Sequence, residues 1–371
     1  MQYDRVVGLV VVVLIIGCVI YFLEGKKASI GGEAHVVPIA VNDSDGSQLA
    51  AEKKKQFTPA KEIVDPSGFI NVEELRLAEL IGKQVILVDF WTYSCINCQR
   101  TQPYLNAWHD KYADSGLTIV GVHTPEFEFE KNISNVERAV AKAGIKYPVV
   151  LDNNYATWRA YANRYWPRKY LIDIDGYIVY DHIGEGAYEE TEQVIARLLK
   201  ERADHLGENV TIEQSSVQVT AMAPSVGVSS PEVYFGSTRN ELLGNGRSAV
   251  TGEQVLTTPS VINLNELLLD GTWNIQPEYA MNTSRRATIT FKYKAKDVFM
   301  VAAAELPATV TVRRDGELVV VAAGGDVDQA SQVVIDQEQL YHLVAEGEVG
   351  EHTLELIIQE PGLQAFTFTF G

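Results

Sequence analysis

The stretch Val88-Asp-Phe-Trp-Thr-Tyr-Ser-Cys-Ile-Asn-Cys98 places two of the chain's three cysteines within one helical turn of each other. The apolar residues 84–90 that lead into it predict a short buried strand, and the spacing of apolar residues over 99–113 predicts an amphipathic helix. Cys95 and Cys98 are therefore expected where the strand gives way to the helix. This junction decides how the rest of the chain is interpreted.

The first turn of a helix has free backbone N–H groups and the positive end of the helix dipole, and both favour a thiolate. A nucleophilic thiol with a second thiol one turn away can attack a disulfide and then resolve the mixed disulfide that forms. The spacing of Cys95 and Cys98 thus suits thiol-disulfide exchange. Pro103 would either kink the helix or end a short first helix.

Two other uses of this pattern remain open. A structural zinc ion needs four ligands, and the sequence has no second CxxC or paired histidines to join His109. A peroxide-reducing site also places a threonine three residues before its cysteine, as Thr92 stands to Cys95. The proline expected four residues before that threonine is Val88 here, which disfavours a thiol-dependent peroxidase.

Strands and helices alternate on both sides of the cysteine pair. Strand patterns at 117–123, 148–151 and in the runs from Lys169 and Tyr177 alternate with helical patterns. The helical patterns cover residues 132–143, 155–163 and 189–202. This order predicts an α/β domain over residues 62–206, in which helices cover both faces of a central sheet.

Several segments carry a family resemblance. ILVDFWTYSCINC, ending at Cys98, resembles the active-site stretch of thioredoxins, with Asp89 six residues before Cys95 and Pro103 five residues after Cys98. Further segments are similar to the thioredoxin-like domain of DipZ-type proteins, near the TlpA and ResA group. These are FWTYSCINCQRTQP, GVHTPEFEFEKN, YPVVLDNNYATWRAYANRYWP and YLIDIDGYIVYDHIGEG, and the likeness runs from about Phe69 to Arg202.

The resemblance implies a role for each matched residue. Cys95 would be the attacking thiol and Cys98 the resolving thiol, with Asp89 as the buried acid that relays protons to Cys98. Asp89 also fits this role on physical grounds, because a carboxyl on an apolar strand should have a raised pKa. The other interpretation is that Asp89 is a carboxylate at a strand end that accepts backbone hydrogen bonds. Trp166 and Pro167 match the cis-proline segment that binds an extended substrate.

Two features near the pair depart from thioredoxin itself or leave alternatives. Ser94 stands where thioredoxin has a tryptophan, so the broad substrate range of thioredoxin is not implied. Glu126 and Glu128 lie on a predicted loop near the active-site end of the sheet. They would either adjust the pKa of the cysteines or form a solvated acidic loop.

The amino-terminal region has a different character. Residues 6–23 form an uncharged apolar run that would span roughly 27 Å as a helix, which predicts one transmembrane helix within an anchor of residues 1–27. Cys18 lies in this run. A cleaved signal peptide is the alternative, which the length of the run and the lack of a clear small-x-small cleavage site disfavour. Residues 28–61 lack periodic hydrophobicity and are expected to be a flexible tether. Arg5, Lys26 and Lys27 do not decide the orientation of the anchor.

Beyond residue 206 the helical pattern gives way to short alternating strands separated by turn residues, among them runs that begin at Ser216, Ala287 and Val298. This predicts an all-β, jelly-roll-like sandwich over residues 214–371. The region resembles the carbohydrate-binding-module-like sandwich that follows the thioredoxin-like domain in DipZ-type proteins. Trp273, Tyr279 and Tyr341 would be either a stacking platform for a glycan or core residues.

The net charge of −18 and the absence of clustered Lys and Arg exclude nucleic acid as an expected partner. The sequence predicts a membrane-anchored, extracytoplasmic thiol-disulfide oxidoreductase that acts on protein disulfides or dithiols, as a reductant, without a cofactor or metal. The lack of the multi-helix membrane domain of DipZ-type proteins implies a separate membrane electron donor. The alternative is a surface-anchored binding module for glycan or protein, with the α/β domain as scaffold.

Overall fold

The computed structural model describes residues 53–213, 215–220 and 227–371. The described residues form a seven-stranded sheet and a ten-stranded sheet. We call residues 58–206 the α/β unit and residues 233–371 the β unit. The predicted anchor and residues 28–52 of the predicted tether lie outside the described residues. Among the residues that are described, no helix combines the length and apolar character needed to cross a bilayer.

The α/β unit has the thioredoxin-like order of strands and helices. Its elements are β1 Thr58–Pro59, β2 Gly68–Ile70, α1 Leu77–Leu80, β3 Val85–Trp91, α2 Ile96–Tyr112, β4 Leu117–His123, α3 Ile133–Ala143, β5 Val149–Leu151, α4 Ala156–Ala160, β6 Arg168–Ile172, β7 Tyr177–Ile183 and α5 Tyr188–Leu206. The strand order across the sheet is β1-β7-β6-β3-β4-β5-β2. Central β3 runs parallel to β4 and antiparallel to β6.

Strand β3 is buried along its whole length, and its side chains alternate between two cores. Leu87 and Trp91 join the core that contains α2, α3 and α5. Val88 and Phe90 join the core on the opposite face, with α1. Because successive side chains of a strand point to opposite faces, Asp89 points to the same face as Leu87 and Trp91. That is the face covered by the helix that carries the cysteines.

The predicted helix after the cysteines begins three residues earlier than expected. Cys95 is the N-cap of α2 and its sulfur accepts the backbone N–H of Cys98, so the helix starts at Ile96. The helix continues through Pro103 to Tyr112, and Pro103 therefore does not end it. The strands β1 and β2, at the two sheet edges, were absent from the sequence prediction because each has only two or three residues.

The β unit is largely β, as predicted. Its strands are β8 Val233–Tyr234, β9 Gly252–Leu256, β10 Leu267–Ile275, β11 Ala280–Asn282, β12 Ala287–Ala304, β13 Ala308–Arg314, β14 Glu317–Leu318, β15 Gln332–Ile335, β16 Gln339–Ile358 and β17 Leu363–Phe370. Two separately predicted strands, from Ala287 and Val298, form the single strand β12. The pairing of β12 with β16 shifts register between Ala295 and Asp297 and continues on both sides of that shift. Residues 216–220, predicted as a strand, do not form one.

Strand β12 connects the parts of the β unit. One side pairs with β16, while the other side pairs first with β10 and then with β17. Trp273 and Tyr341 are buried in the apolar core of this unit, and Tyr279 packs against Phe366 at 5.1 Å between ring centroids. The three aromatic side chains therefore do not form a shared exposed platform. The two-layer sandwich stays a prediction.

Candidate redox site

Cys95 and Cys98 differ sharply in exposure. Both are free thiols; Cys95 is partly exposed and Cys98 is buried. The backbone N–H of Cys98 lies 3.3 Å from the Cys95 sulfur and donates to it. Burial, followed by the hydrogen bond with Cys95, raises the pKa of Cys98 well above its usual range. This arrangement gives one reachable sulfur that accepts a backbone N–H at the start of a helix, and one sheltered thiol that stays protonated.

Asp89 places a buried carboxyl on the face of the sheet that the cysteine-bearing helix α2 covers. It is 1% exposed, and among the described residues neither of its carboxylate oxygens has a hydrogen-bond partner. Burial raises its pKa to about 7, against the opposing effect of the charge of Lys169. The interpretation of Asp89 as a backbone-bonded carboxylate is wrong for this structure, since its oxygens accept no backbone N–H. A carboxyl that titrates near neutrality is suited to proton exchange.

Lys169 is the residue directly opposite Asp89 on β6. It is fully buried, its ammonium nitrogen lies 3.2 Å from the carbonyl oxygen of Gly184, and it stands over the ring of Tyr188 at 5.6 Å. Burial lowers its pKa to about 8, while Asp89 and then Cys98 oppose that shift. On the other side of Asp89 stands Gly121, where a Cβ would lie 2.9 Å from the indole nitrogen of Trp91. Glycine leaves room for the indole there.

The Trp166–Pro167 peptide bond is cis, as the resemblance implies. The indole N–H of Trp166 donates to the carbonyl of Thr124 at 3.0 Å, and the carbonyl of Pro167 accepts the N–H of Gly184 at 2.8 Å. These bonds hold the segment in place beside the cysteines. Trp166 and Cys95 line the same cleft.

The acidic loop contributes differently from the sequence expectation. Glu128 is exposed and pairs with Lys131, away from the cysteines. Glu126 lines the cleft at Cys95, where its carboxylate accepts the guanidinium of Arg239 at 2.7 Å. Of the two glutamates that the sequence places near the cysteines, Glu126 lines the cleft and Glu128 does not.

Glu130 is the buried carboxylate of this loop. It accepts the hydroxyl of Ser94 at 2.6 Å, the backbone N–H of Ser94 at 3.3 Å and the N–H of Phe127 at 3.0 Å. Burial raises its pKa, and the Ser94 hydrogen bond opposes that effect. Glu130 thus fixes the residue that precedes Cys95, and it ties that residue to the loop that meets the β unit.

The β unit packs directly on this end of the α/β unit. Ile96, between the two cysteines, is buried in a cluster with Phe127 and with side chains of the β unit, which are Phe299, Val301, Ala303, Leu340 and Phe366. Phe366 stands edge-on to Phe127, with ring centroids 5.2 Å apart. The residue after Cys95 is therefore covered by the second unit.

His109 is the candidate zinc ligand and Thr92 the candidate peroxidase residue, and the two lie in different surroundings. His109 lies on α2 three turns from the cysteines, with its ring 5.8 Å from that of Tyr147. The hydroxyl of Thr92 is buried and lies 3.4 Å from Nε2 of His123, whose pKa burial lowers to about 3. His123 is therefore neutral at physiological pH. Thr92 faces a neutral imidazole.

Sequence reasoning missed three contributors to the site. Lys169 could have been found by the signal that identified Asp89, a charged residue in an apolar strand. Glu130 had no such signal, because its burial depends on how the loop folds back on Ser94. Arg239 and the other residues of the β unit depend on the docking of two distant segments.

A dithiol pair at the start of a helix, on a thioredoxin-like sheet, defines a thiol redox protein, and comparisons with known proteins agree. Residues 60–199 match the family model described as Redoxin, and residues 230–371 match the model described as Thioredoxin like C-terminal domain. The chain is 36% identical over 333 residues to Protein DipZ of Mycobacterium tuberculosis. That match covers 89% of this chain and 45% of DipZ, so the chain spans a little under half of that relative.

Shorter relatives are covered more fully. The chain is 30% identical over 143 residues to the thiol-disulfide oxidoreductase YkuV of Bacillus subtilis, which covers 38% of this chain and 95% of YkuV. It is 30% identical over 126 residues to the thiol-disulfide oxidoreductase ResA of Bacillus thuringiensis, covering 34% of this chain and 69% of ResA. The chain belongs to the thiol-disulfide oxidoreductases with a thioredoxin-like fold.

Proposed function

We propose that the chain is a membrane-anchored, extracytoplasmic reductant of protein disulfides that works through Cys95 and Cys98. The observation that carries the proposal is the partly exposed sulfur of Cys95, which accepts an N–H at the start of α2 while Cys98 is buried beside it. This asymmetry supports attack by Cys95 and resolution by Cys98. The membrane anchor and the location rest on the apolar run of residues 6–23 and on the family resemblance.

In the first step, the thiolate of Cys95 attacks one sulfur of a partner disulfide. The partner's S–S bond breaks, its second sulfur leaves as a thiolate, and a mixed disulfide with Cys95 forms. The cis segment at Trp166 and Pro167 lies beside this sulfur and is positioned to hold the extended partner chain. No proton has to leave Cys98 in this step.

In the second step, Cys98 attacks the sulfur of Cys95 and releases the partner's first sulfur as a thiolate. Cys98 must lose its proton for this attack, and Asp89 is the buried base on the same face of the sheet. Two electrons pass from the pair to the partner, and Cys95 and Cys98 end as a disulfide. A separate dithiol protein in the membrane is proposed to reduce the pair again.

The direction of electron flow is tested by the reduction potential of the full chain in glutathione buffers, with Cys95→Ser as the control. A potential near or below about −250 mV supports a reductant, whereas a value near about −150 mV would make the protein an oxidant or isomerase. Consumption of hydrogen peroxide in place of disulfide reduction would favour the peroxidase alternative. Loss of both activities would favour the binding module.

The location has its own test. A tag placed after Gly371 should react with a membrane-impermeant reagent in intact cells. A tag that reacts only after lysis would contradict the proposed orientation.

A further inference from the structure

Cys95 lies in a cleft of about 270 Å³ between the α/β unit and the β unit. The α/β unit contributes Cys95 and Trp166 to its lining. The β unit contributes Tyr234, Arg239 and Thr369. The attacking sulfur is therefore approached along a surface to which both units contribute.

The β unit forms one wall of the cleft, made of Tyr234, Arg239 and Thr369, and contacts that cross between the units hold this wall in place. The guanidinium of Arg239 stacks on the ring of Tyr234 at 3.6 Å and lies 5.5 Å from the ring of Phe127. It also donates to Glu126 at 2.7 Å, and the hydroxyl of Tyr234 donates to the same carboxylate at 3.0 Å. A stacked, hydrogen-bonded arginine of this kind keeps its position better than an isolated surface side chain.

The side of Cys95 toward Ile96 is narrowed by the β unit. Ile96 is 4% exposed because Phe299 and Val301 of the β unit cover it. A partner that would lie flat across the start of α2 therefore meets the β unit first. Access to the sulfur is left along the cleft between Trp166 and the wall of Tyr234 and Arg239.

We propose that the β unit is a steric selector, which restricts the enzyme to disulfides carried by an extended polypeptide segment. A volume of about 270 Å³ lies below the ~300–1,000 Å³ that pockets for compact ligands usually have. It accommodates one or two side chains of an extended chain, but the convex surface of a folded domain cannot enter it. This inference rests on the proposed function, because it concerns the partner that Cys95 attacks.

Two probes with the same leaving group isolate the effect of shape. One is an unstructured peptide whose single cysteine is disulfide-bonded to thionitrobenzoate, and the other is a rigid folded protein with that mixed disulfide on a flat surface. Cys95 attacks the carrier sulfur, the S–S bond breaks and coloured thionitrobenzoate leaves with the electron pair. Cys98 then displaces the carrier as a thiolate, so the dithiol supplies both electrons.

The quantity to measure is the ratio of the two second-order rate constants, peptide over folded protein, for the full chain. We expect a ratio of about one hundred or more for the unsubstituted protein, and a fall of about tenfold in Arg239→Ala and Tyr234→Ala. Arg285→Ala is the matched control, because Arg285 is an exposed arginine of the β unit that pairs with Glu360 away from the cleft. Its ratio should match that of the unsubstituted protein.

A substitution of opposite sign separates selection from loosened folding. Thr369→Phe adds bulk to the wall and should raise the ratio, whereas a variant that only loosens the fold would lower it. A ratio near one in the unsubstituted protein, or a ratio that none of the three wall variants changes, would overturn the selector. If neither probe reacts with the reduced protein, the proposed function fails instead.

Discussion

Asp89 on β3 and Lys169 on β6 stand directly opposite each other in the sheet, and both are buried. Residues paired in this way on adjacent antiparallel strands project to the same face. The ammonium of Lys169 lowers the pKa of Asp89, and the carboxylate of Asp89 raises the pKa of Lys169. Burial has the larger and opposite effect in each case: it raises the pKa of Asp89 and lowers the pKa of Lys169. The result is a carboxyl that titrates at about 7 beside the buried thiol of Cys98.

Replacing Asp89 should make the protein more stable above neutral pH. The pKa of Asp89 is about 7 in the folded state against an ordinary value of 3.8, so stability falls as pH rises through that interval and stays reduced above it. We expect Asp89→Asn to raise the free energy of unfolding at pH 8 by about 2 kcal/mol. This is less than the full pKa shift of Asp89 implies, because the substitution also removes the negative charge that stabilises the ammonium of Lys169. Denaturant unfolding measures this.

The same comparison at pH 4 is the control. There Asp89 is protonated in the folded state, so the variant and the unsubstituted protein should differ little. Equal stability of the two proteins at pH 8 would contradict an ionised, buried carboxylate at this position that lacks a hydrogen-bond partner among the described residues.

Removing Lys169 should move the pH dependence of turnover upward. Without the ammonium, the pKa of Asp89 rises above about 7, so the carboxylate proposed to accept the Cys98 proton forms at higher pH. We expect the midpoint of the resolving step in Lys169→Met to shift upward by about one pH unit. Lys200→Met is the control, because Lys200 is exposed and pairs with Asp204. A downward shift, or an equal shift in both variants, would remove Lys169 from the proton path.

Glu130 should be needed to position the residue before Cys95. In Glu130→Gln an amide nitrogen would face donors at Ser94 and Phe127, which should cost about 2 kcal/mol of stability and slow alkylation of Cys95 several-fold. Glu128→Gln, an exposed position two residues away, should change neither quantity. Alkylation at an unaltered rate in Glu130→Gln would limit Glu130 to a role in stability.

The contact between the units should depend on Phe366. Its ring packs on Phe127 and Phe129 at 5.2 and 4.9 Å, so Phe366→Ala should remove about 3 kcal/mol of packing between the units. Hydrogen exchange of the amides around Ile96 and Phe127 should then accelerate. Phe368→Ala, on the same strand but in the core of the β unit, should destabilise that unit instead. The same exchange pattern in both variants would contradict a specific interface.

Local patterns predicted the α/β unit well. Strands β3 and β4 are mostly apolar, and Asp89, the one carboxyl within β3, could be singled out from that pattern. The short edge strands and the fusion of two predicted strands into β12 depend on pairing with distant partners. The same holds for the site, because Glu130 and Arg239 reach Cys95 only through a folded loop and a docked second unit.

The central claim is that Cys95 attacks and Cys98 resolves. It is tested most directly by treating reduced Cys98→Ser and Cys95→Ser variants of the full chain with a peptide disulfide and locating the adduct by mass spectrometry. We expect a stable mixed disulfide on Cys95 in Cys98→Ser and almost no adduct in Cys95→Ser. An adduct on Cys98 that forms as fast as the one on Cys95 would contradict it.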